Sequence, residues 1–467
     1  MAKASSDKPL SAALVGAGEF GRTLLTQSRR LTGLSVQVLC DRDPARAIAV
    51  ARTAGFGEDD ICRPAPGGDA AIELAPGRVT IVEDPDLLPR LPIDLLVEAT
   101  GQPEAGARHA LAAIEAGQDV AMVTKETDIV VGPILARLAA AAGRTYTLVD
   151  GDQPSLLIKL CARLRLLGFP IVAAGKATEY GVVAEPGLAT VTCRGQRLET
   201  PGLAHFWDLD SSGVRATLSG RAESLASAIR QTVPDLCELG IVANWTGLAP
   251  DRPELHAPFL RSGELPEVFR EAEGGGILSR TGVVDAFVCL RRHDELGFAG
   301  GVFAVVDCAP ELGALLREKG LPVSRDGTRL MVHNPVHLLG AEAAVSMLDA
   351  AAPGHGAALP RPRVDLVAET TEILASGRVL ALGARHALAG LAPRLRPAAA
   401  LEGGAPLPYY LAAGAVLRRD LPPGAVLTLD DVTLAADSTL LALRRRQDDA
   451  FREPAVEDGP LGLESGD

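Results

Sequence analysis

Apolar runs alternate with helical patterns over residues 1–152. Each of four strand-like runs is followed by a stretch with the apolar period of a helix, and the runs are "SAALVGAG", "SVQVLCDRD", "IDLLVEATG" and "DVAMVTK". This repetition predicts parallel strands joined by helices that cover both faces of the sheet. We therefore expect an α/β protein whose first domain, residues 1–152, is a Rossmann-type, doubly wound parallel sheet that binds a dinucleotide.

The alternation becomes irregular after residue 152. A helical segment and a strand-like segment come first, residues 180–280 lose the rhythm, and β character returns in "ILSRTGVVDAFVCLRR" and "GGVFAVVDC". We expect a central α+β catalytic and dimerisation domain over residues 153–355, in which residues 333–354 form a helix entered through a His- and Pro-containing turn. The linker-like "AAPGHGAALPRPRV" predicts a third, small, β-rich domain over residues 356–467.

Composition narrows the class of protein. The 467 residues carry a formal net charge of −13 and only 3% aromatic residues, which argues against nucleic-acid binding. The sequence has no charge-free apolar run of roughly 18 residues and no recognisable signal peptide, so we expect a cytoplasmic protein without membrane contact. Seven cysteines without a C-x-x-C pair indicate neither a disulfide framework nor a zinc site.

The segment "VGAGEFG" carries the pattern G-x-G-x-x-G between a strand and a helix. Such glycines permit a tight turn and close approach of a pyrophosphate to the helix N-terminus. Asp41 follows at the distance of a ribose-binding acid, which favours NAD, whereas Arg42 and Arg46 suit the 2′-phosphate of NADP. NAD and NADP both stay open. The predicted cofactor-binding residues are Gly16, Gly18, Glu19, Phe20, Gly21, Asp41, Arg42, Thr100, Gly101 and Thr124.

Two lysines follow predicted strands. Lys125 and Glu126 follow one strand, and Lys176 follows another. A lysine at the carboxyl edge of a sheet can stabilise the oxyanion of a carbonyl being reduced, and Glu126 or Asp152 can transfer a proton. Two lysines also predict that an anionic group of the substrate lies between them. The alternatives are a solvent-facing ion pair for Lys125 and a helix cap for Asp152.

Further polar residues are candidates for the site. His333 and His337 have the spacing of metal ligands, but Pro335 disfavours an unbroken helix. We predict a polar catalytic role for both histidines and assign no metal ligand, although a divalent metal stays possible. In "EGGGILSRTGVVD", a cluster of glycines precedes Ser279 and Arg280. This pattern predicts either an anion-binding loop or a flexible turn. The predicted substrate-binding residues are Lys176, Glu179, Ser279, Arg280 and Asn334.

These motifs resemble a known group of enzymes. The segment "VTKETD" makes the N-terminal half similar to homoserine dehydrogenase. The chain as a whole resembles the 1-deoxy-D-xylulose 5-phosphate reductoisomerase-like enzymes, called DRL, which join an oxidoreductase core to a C-terminal SAF domain. This likeness rests on "VEATGQPEAGARHALAAI", "DGDQPS", "AGKATEYG", "EGGGILSRTGVVD", "HNPVHLLGAE" and "PLPYYLAAGAVLRRDLPPGAVLTLDDV".

The resemblance implies an NAD(P)-dependent oxidoreductase, assembled as a homodimer, that acts on a small polar carbonyl or hydroxy compound with an anionic group. A first alternative is a reductoisomerase-like enzyme of isoprenoid precursor synthesis. Members with that activity carry an arginine where this chain has Asn334, and an asparagine cannot replace its bidentate contact with a phosphate. A second alternative is a non-catalytic SAF protein that senses a nucleotide.

Overall fold

The computed structural model of this protein describes residues 9–63, 74–185, 187–209, 213–298, 300–350 and 359–452. Their sheets distinguish a nucleotide unit (residues 10–148), a central unit (residues 153–350) and a C-terminal unit (residues 364–450). The predicted boundary between residues 355 and 356 lies outside the described residues. None of the helices in the described ranges has the length and apolar character that a bilayer crossing requires.

The nucleotide unit is an all-parallel sheet with helical crossovers. Its strands in the described chain are Leu10–Val15 (β1), Leu34–Cys40 (β2), Ile61–Cys62 (β3), Val79–Val82 (β4), Leu95–Glu98 (β5), Asp119–Met122 (β6) and Tyr146–Leu148 (β7). Its helices there are Glu19–Ser28 (α1), Pro44–Thr53 (α2), Pro103–Glu115 (α3) and Lys125–Ala141 (α4). The strand order β3-β4-β2-β1-β5-β6-β7 confirms the predicted doubly wound fold.

The alternation along β1 explains why helices cover both faces of this sheet. Ala12 and Leu14 are buried in a cluster with Leu24 of α1, whereas Ala13 and Val15 are buried in the cluster that contains α4. A strand that is apolar on both faces can be stable only inside such a sandwich.

The order in which the strands are added to the sheet changes side at β1. Strand β2 pairs with one side of β1 and β5 with the other, so the loops after β1 and β5 diverge and leave a crevice at the carboxyl edge. Open α/β sheets bind their ligands at this topological switch point.

The central unit is built on a mixed sheet. In the described residues its elements are Gln153–Leu166 (α5), Ile171–Ala177 (β8), Val182–Ala184 (β9), Thr190–Cys193 (β10), Gln196–Glu199 (β11), Val214–Ser224 (α6), Val233–Thr246 (α7), Ala249–Pro250 (β12), Phe259–Leu260 (β13), Leu265–Val268 (α8), Val283–Arg292 (β14), Val302–Asp307 (β15), Pro310–Glu318 (α9), Arg329–Asn334 (β16) and Ala343–Ala350 (α10). Strand β8 pairs in parallel with β14 and antiparallel with β15. Helix α7 was not predicted.

The predicted helix over residues 333–354 is wrong for its first half. His333 and Asn334 are the last residues of β16, and the helix begins only at Ala343. Pro335 has no amide for a helical hydrogen bond, and Gly340 packs so closely on α1 that a Cβ there would lie 2.4 Å from the Phe20 carbonyl oxygen. Residues 351–354 of that prediction lie outside the described residues.

The C-terminal unit consists of short strands and a final helix. In the described chain these are Val364–Thr370 (β17), Leu391–Pro397 (β18), Val416–Leu417 (β19), Val432–Thr433 (β20) and Thr439–Ala450 (α11). The Asn244 side chain of α7 accepts hydrogen bonds from the backbone amides of Arg363 and Val364 and donates to the Val364 carbonyl, which joins β17 to the central unit. The SAF assignment of this unit stays a prediction.

Helix α11 also binds the nucleotide unit. Pro133 lies inside α4 and has no backbone N–H. The Gln447 side chain of α11 lies beside this position. Its Nε2 donates a hydrogen bond to the Val130 carbonyl oxygen at 3.1 Å, and its Oε1 accepts one from the Ile134 amide at 3.2 Å. Helix α11 therefore supplies hydrogen bonds to α4 close to Pro133.

Arg444 of α11 should be a major source of stability. Its buried guanidinium donates to both Asp365 carboxylate oxygens, at 2.6 and 2.8 Å, and to Asp448 at 2.9 Å. Removal of one partner leaves a buried charge uncompensated, so we expect Arg444→Ala to lower the free energy of unfolding by about 3 to 5 kcal/mol in urea titrations. The matched control is Arg445→Ala, at the exposed neighbour. Equal effects of the two substitutions would contradict this role.

Candidate active site

The glycine loop lines the crevice at the switch point. A Cβ at Gly16 would lie 2.5 Å from the Ala99 carbonyl oxygen, and one at Gly21 would lie 2.3 Å from the Gly16 carbonyl oxygen. A Cβ at Gly18 would meet no atom of the described chain within 4 Å. The first and third glycines therefore serve packing, while the second faces open space. Gly18 is also the N-cap of α1 and provides no side-chain cap, so the first amides of the helix, which begins with Glu19 and Phe20, are available to an anion.

Asp41 lies at the end of β2 in the same crevice. Its carboxylate accepts hydrogen bonds from the amides of Ala17 at 2.8 Å and Asp43 at 3.0 Å, and it pairs with the Arg46 guanidinium. Burial raises the pKa of Asp41, but these amides and Arg46 outweigh burial and hold the pKa below its usual value. Asp41 is therefore an anion at neutral pH. Arg42 and Arg46 also line the cleft.

The loop after β5 forms the opposite wall. The Thr100 hydroxyl donates to the buried Glu98 carboxylate at 2.6 Å, and the Gly101 amide donates to the Thr124 hydroxyl at 2.9 Å. These contacts connect the ends of β5 and α4. The predicted residues Thr100, Gly101 and Thr124 therefore lie together.

Three charged side chains meet where the nucleotide and central units join. Lys125 is the first residue of α4, and Lys176 lies in β8. Both ammonium groups donate to the Glu238 carboxylate of α7, one to each oxygen. Glu238 therefore lies between the two lysines, where an anionic group of the substrate was predicted, and that prediction loses its structural basis.

Further carboxylates surround the lysines. Asp235 accepts from the Lys176 ammonium at 2.9 Å, and Asp152, the N-cap of α5, lies 3.4 Å from the Lys125 ammonium. Burial lowers the pKa of Lys125, but Asp152 and Glu238 outweigh burial and hold the pKa well above its usual value. Lys125 is therefore a cation. Asp152, which was predicted either to transfer a proton or to cap a helix, is the cap of α5 and also a member of this cluster.

Burial distinguishes the two lysines. The Lys125 side chain is 21% exposed, whereas that of Lys176 is 2% exposed and its ammonium is held by two carboxylates. The prediction that Lys176 contacts the substrate does not fit this burial, so its role is to position Glu238. Lys125 is the lysine that a ligand can reach.

Glu126 has an altered acidity. Its side chain is 2% exposed, and burial raises its pKa to about 7 although Lys125 opposes the rise. One carboxylate oxygen lies 3.2 Å from Nδ1 of His386, a residue of the C-terminal unit. Tyr410 of the same unit is buried and lines the cleft, and its hydroxyl has no hydrogen-bond partner among the described residues.

Of the predicted histidines, only His337 lies near the lysines. Burial holds the pKa of His337 below its usual value, although the charges of Asp152 and Glu238 oppose this shift. His333 instead stacks on Phe298 with ring centroids 5.4 Å apart and lies at the edge strand, so its predicted catalytic role is not supported.

The remaining predicted substrate residues are scattered. Asn334 pairs with Val302, which itself pairs with Lys176, but the Asn334 oxygen accepts from the Val336 amide in its own turn. Glu179 is exposed just beyond β8 and accepts from the Tyr180 hydroxyl at 2.8 Å.

The structure does not bring Ser279 and Arg280 to the lysines, so their substrate contacts stay a prediction without structural support. Both precede β14, whose first residue, Val283, pairs with Ala173 near the start of β8. Lys176 lies near the end of β8, so the loop lies at the opposite end of the sheet. There Ser279 binds Asp251, and Arg280 donates to the Pro250 carbonyl at 3.2 Å.

The crevice is one cleft of about 1090 Å³, and residues of the nucleotide unit and of the C-terminal unit line it. From the nucleotide unit come the glycine loop, Asp41 and the residues after β5; from the C-terminal unit come residues 410–415 and 434–440. No group of three His, Cys, Asp or Glu side chains in the described ranges has the arrangement of a metal site.

Sequence analysis missed Asp235, Glu238, His386 and Tyr410. The two acids interrupt the otherwise apolar segment "VPDLCELGIVAN", and their spacing of three places them on one face of a helix. That was a usable signal. Nothing local to His386 or Tyr410 points to a nucleotide site far earlier in the chain.

Residues 151–343 match the family described as "Oxidoreductase DRL, catalytic domain". The matched residues contain β8 and α7 and hence Lys176, Asp235 and Glu238, whereas Lys125 and His386 lie outside them. The resemblance to DRL is confirmed over these residues, and the likeness to homoserine dehydrogenase stays a prediction.

Two curated relatives are 1-deoxy-D-xylulose 5-phosphate reductoisomerases from Anaeromyxobacter dehalogenans and Anaeromyxobacter sp. strain K. Each is 29% identical over 178 residues, which is 38% of this chain and 40% of the relative. The alignment therefore spans less than half of either protein.

Solved structures similar to this chain include scyllo-inositol dehydrogenase from Lactobacillus casei, at 12% identity over 64% of this chain and 74% of that chain, with a TM-score of 0.33. Biliverdin reductase from Synechocystis matches at 19% identity over 38% of this chain and 48% of that chain, with a TM-score of 0.25. These likenesses are weak, and the fold assignment rests on the strand order.

Glu126 should make the stability of the fold depend on pH. Its pKa is raised from 4.5 to about 7, so the fold favours the neutral acid. The contribution of the neutral Glu126 side chain to the free energy of unfolding is complete below about pH 4.5. It is lost as the pH rises through about 7, and the loss amounts to about 3 kcal/mol. Urea titrations at about pH 5 and about pH 8 give the free energy of unfolding on both sides of this change. We expect the free energy of unfolding of Glu126→Gln not to show the loss between the two pH values.

The same substitution at exposed Glu115 controls for the amide itself. If Glu126→Gln and wild type lose equal stability between the two pH values, the buried carboxyl does not titrate as described.

Proposed function

We propose that this chain is an NAD(P)-dependent oxidoreductase that acts on a small polar carbonyl or hydroxy compound. The observation that carries the proposal is the Lys125 ammonium, which is partly exposed at the start of α4, next to the loop that lines the cleft. The DRL catalytic domain supports the reaction class. Glu238 already pairs with both lysines, so the lysines are no basis for an anionic group in the substrate.

The cleft residues fit a dinucleotide. Gly18 faces open space beside uncapped helix amides, which suits a pyrophosphate, and the Asp41 carboxylate suits a ribose hydroxyl. When bound, the cofactor supplies or accepts the hydride of the reaction. The protein then has to bind the substrate, orient its oxygen and handle one proton.

Lys125 is the group that would act on the reacting oxygen. Its pKa lies well above its usual value, so it is a fixed positive charge and a hydrogen-bond donor to an oxyanion. Glu238 and Asp152 hold the ammonium in position, and Lys176 in turn holds Glu238. The four side chains form one connected network with a single partly exposed lysine at the substrate side.

A reductoisomerase-like reaction is the second candidate, because the two curated relatives carry that name. The purified chain should be tested for oxidation of NADPH and NADH with 1-deoxy-D-xylulose 5-phosphate and with a panel of hydroxy and aldehyde compounds, with and without Mg²⁺ or Mn²⁺. Turnover of the phosphosugar would favour the second candidate, and turnover of another carbonyl the first. Cofactor binding without any turnover would contradict both.

Lys125→Met should reduce kcat by about 10²-fold or more, because the substitution removes the charge that stabilises the oxyanion and leaves a side chain of similar length. The measurement is steady-state cofactor oxidation with the best compound of the panel. Lys319→Met, at an exposed lysine of the central unit, is the matched control and should retain activity. Full turnover by Lys125→Met would refute the assigned role.

Arg46 and Asp41 should determine the cofactor preference. A guanidinium pairs with the 2′-phosphate of NADPH, so Arg46→Ala should weaken the binding of NADPH about tenfold more than that of NADH. A carboxylate accepts a hydrogen bond from the 2′-hydroxyl of NADH, so Asp41→Ala should weaken the binding of NADH more than that of NADPH. Quenching of protein or nucleotide fluorescence gives both Kd values. Arg52→Ala, on the same helix but paired with Glu58, is the control. Equal losses for both nucleotides would place the ribose elsewhere.

A further inference from the structure

A short turn of the C-terminal unit reaches the carboxyl edge of the nucleotide unit. Arg385 and His386 are consecutive residues of this turn, with φ angles of 54° and 56°. Few residues other than Gly adopt this left-handed conformation, although Asn, Asp and His are enriched in it, and such residues cluster at functional sites. The turn is also positioned by the Arg385 guanidinium, which lies 5.0 Å from the centroid of the Tyr180 ring.

The His386 ring lies against two residues of the predicted site. Its Nδ1 is 3.2 Å from the Glu126 carboxylate, and a Cβ added to Gly101 would lie 2.7 Å from its Cε1. Neither His386 Nδ1 nor the facing Glu126 oxygen has an aligned hydrogen bond with any described residue. The Glu126 side chain is 2% exposed and that of His386 is 37% exposed, so the histidine lies between the buried acid and solvent.

We propose that His386 exchanges the proton of the reaction with solvent through Glu126, so that the C-terminal unit supplies a part of the active site. This inference rests on the proposed oxidoreductase function. His386 is a positioning and proton-relay residue, since it acts on the substrate through Glu126.

The relay conserves atoms and charge. Reduction of a carbonyl consumes one hydride, which the cofactor supplies, and one proton, which protonates the oxygen of the new alcohol. Glu126 gives up this proton toward the site, and His386 returns a proton to Glu126 from Nδ1. The imidazole then recovers a proton from water on its exposed side. Oxidation of an alcohol runs the same transfers in reverse.

The acidities of the pair suit a relay at neutral pH. Burial raises the pKa of Glu126 to about 7, and burial with the Lys125 charge lowers the pKa of His386. The charged or titratable groups that act on this pair are Lys125, Asp152, Cys237, Glu238 and Tyr410. The pKa of Glu126 therefore lies above that of His386, so Glu126 is the partner that holds the proton near neutral pH.

The first test removes the imidazole without straining the turn. His386→Gly is compatible with a positive φ and leaves a gap beside Glu126. We expect kcat to fall about tenfold or more near pH 7, and added imidazole to restore much of it. Arg194→Gly, at an exposed residue of the central unit whose φ angle is also 54°, is the matched control and should keep the kcat of wild type. His386→Gln, which fills the gap but transfers no proton, should stay slow with imidazole.

A second measurement needs no substrate. In protein labelled with ¹³C at histidine Cε1, the His386 signal is identified by its absence in His386→Gly. Its titration in wild type should show the ionisation of Glu126 near pH 7, and Glu126→Gln should abolish that inflection.

The two measurements separate the possible failures. Full activity of His386→Gly, or an identical His386 titration in wild type and Glu126→Gln, would overturn the relay. A wild-type protein that turns over none of the tested compounds would contradict the proposed function instead, whatever the titration gives.

Discussion

The arrangement of the site depends on one carboxylate placed between two ammonium groups. Glu238 belongs to α7, Lys176 to β8 and Lys125 to the start of α4, so the ion pairs fix the central unit against the nucleotide unit. Charges this well buried are tolerated only when each has a partner, and removal of Glu238 would leave two unmatched cations. The same requirement holds the Lys125 ammonium between Asp152 and Glu238.

The cleft is assembled from parts that are distant in the sequence. The glycine loop and Asp41 come from the nucleotide unit, and Tyr410 comes from the C-terminal unit. The lysine network lies where the nucleotide and central units join, and His386 of the C-terminal unit contacts Glu126 next to Lys125. The residues that match the DRL catalytic domain account for only the middle part. The chemistry proposed for Lys125 and Glu126 therefore needs residues from all three units, and the C-terminal unit supplies His386.

Local patterns predicted the nucleotide unit well, because strand alternation and glycine spacing are local consequences of the fold. The same reasoning failed for Ser279 and Arg280, since a polar loop beside a strand does not reveal which end of the sheet it occupies. Glu238 was missed because an acid in an apolar helix becomes informative only when its partners are known. For His386, the contact with Glu126 spans most of the chain, so no local pattern could predict it.

The contact between Gln447 and α4 also bears on how the chain folds. The hydrogen bonds of Gln447 with Val130 and Ile134 span more than 300 residues, and Leu440 and Leu443 of α11 are buried in the cluster that contains Ile129 and Ile134. During synthesis, the nucleotide unit leaves the ribosome long before the helix that covers it. The apolar surface of α4 that α11 covers therefore has no cover until α11 has been synthesised, and exposed apolar surface of this kind promotes aggregation.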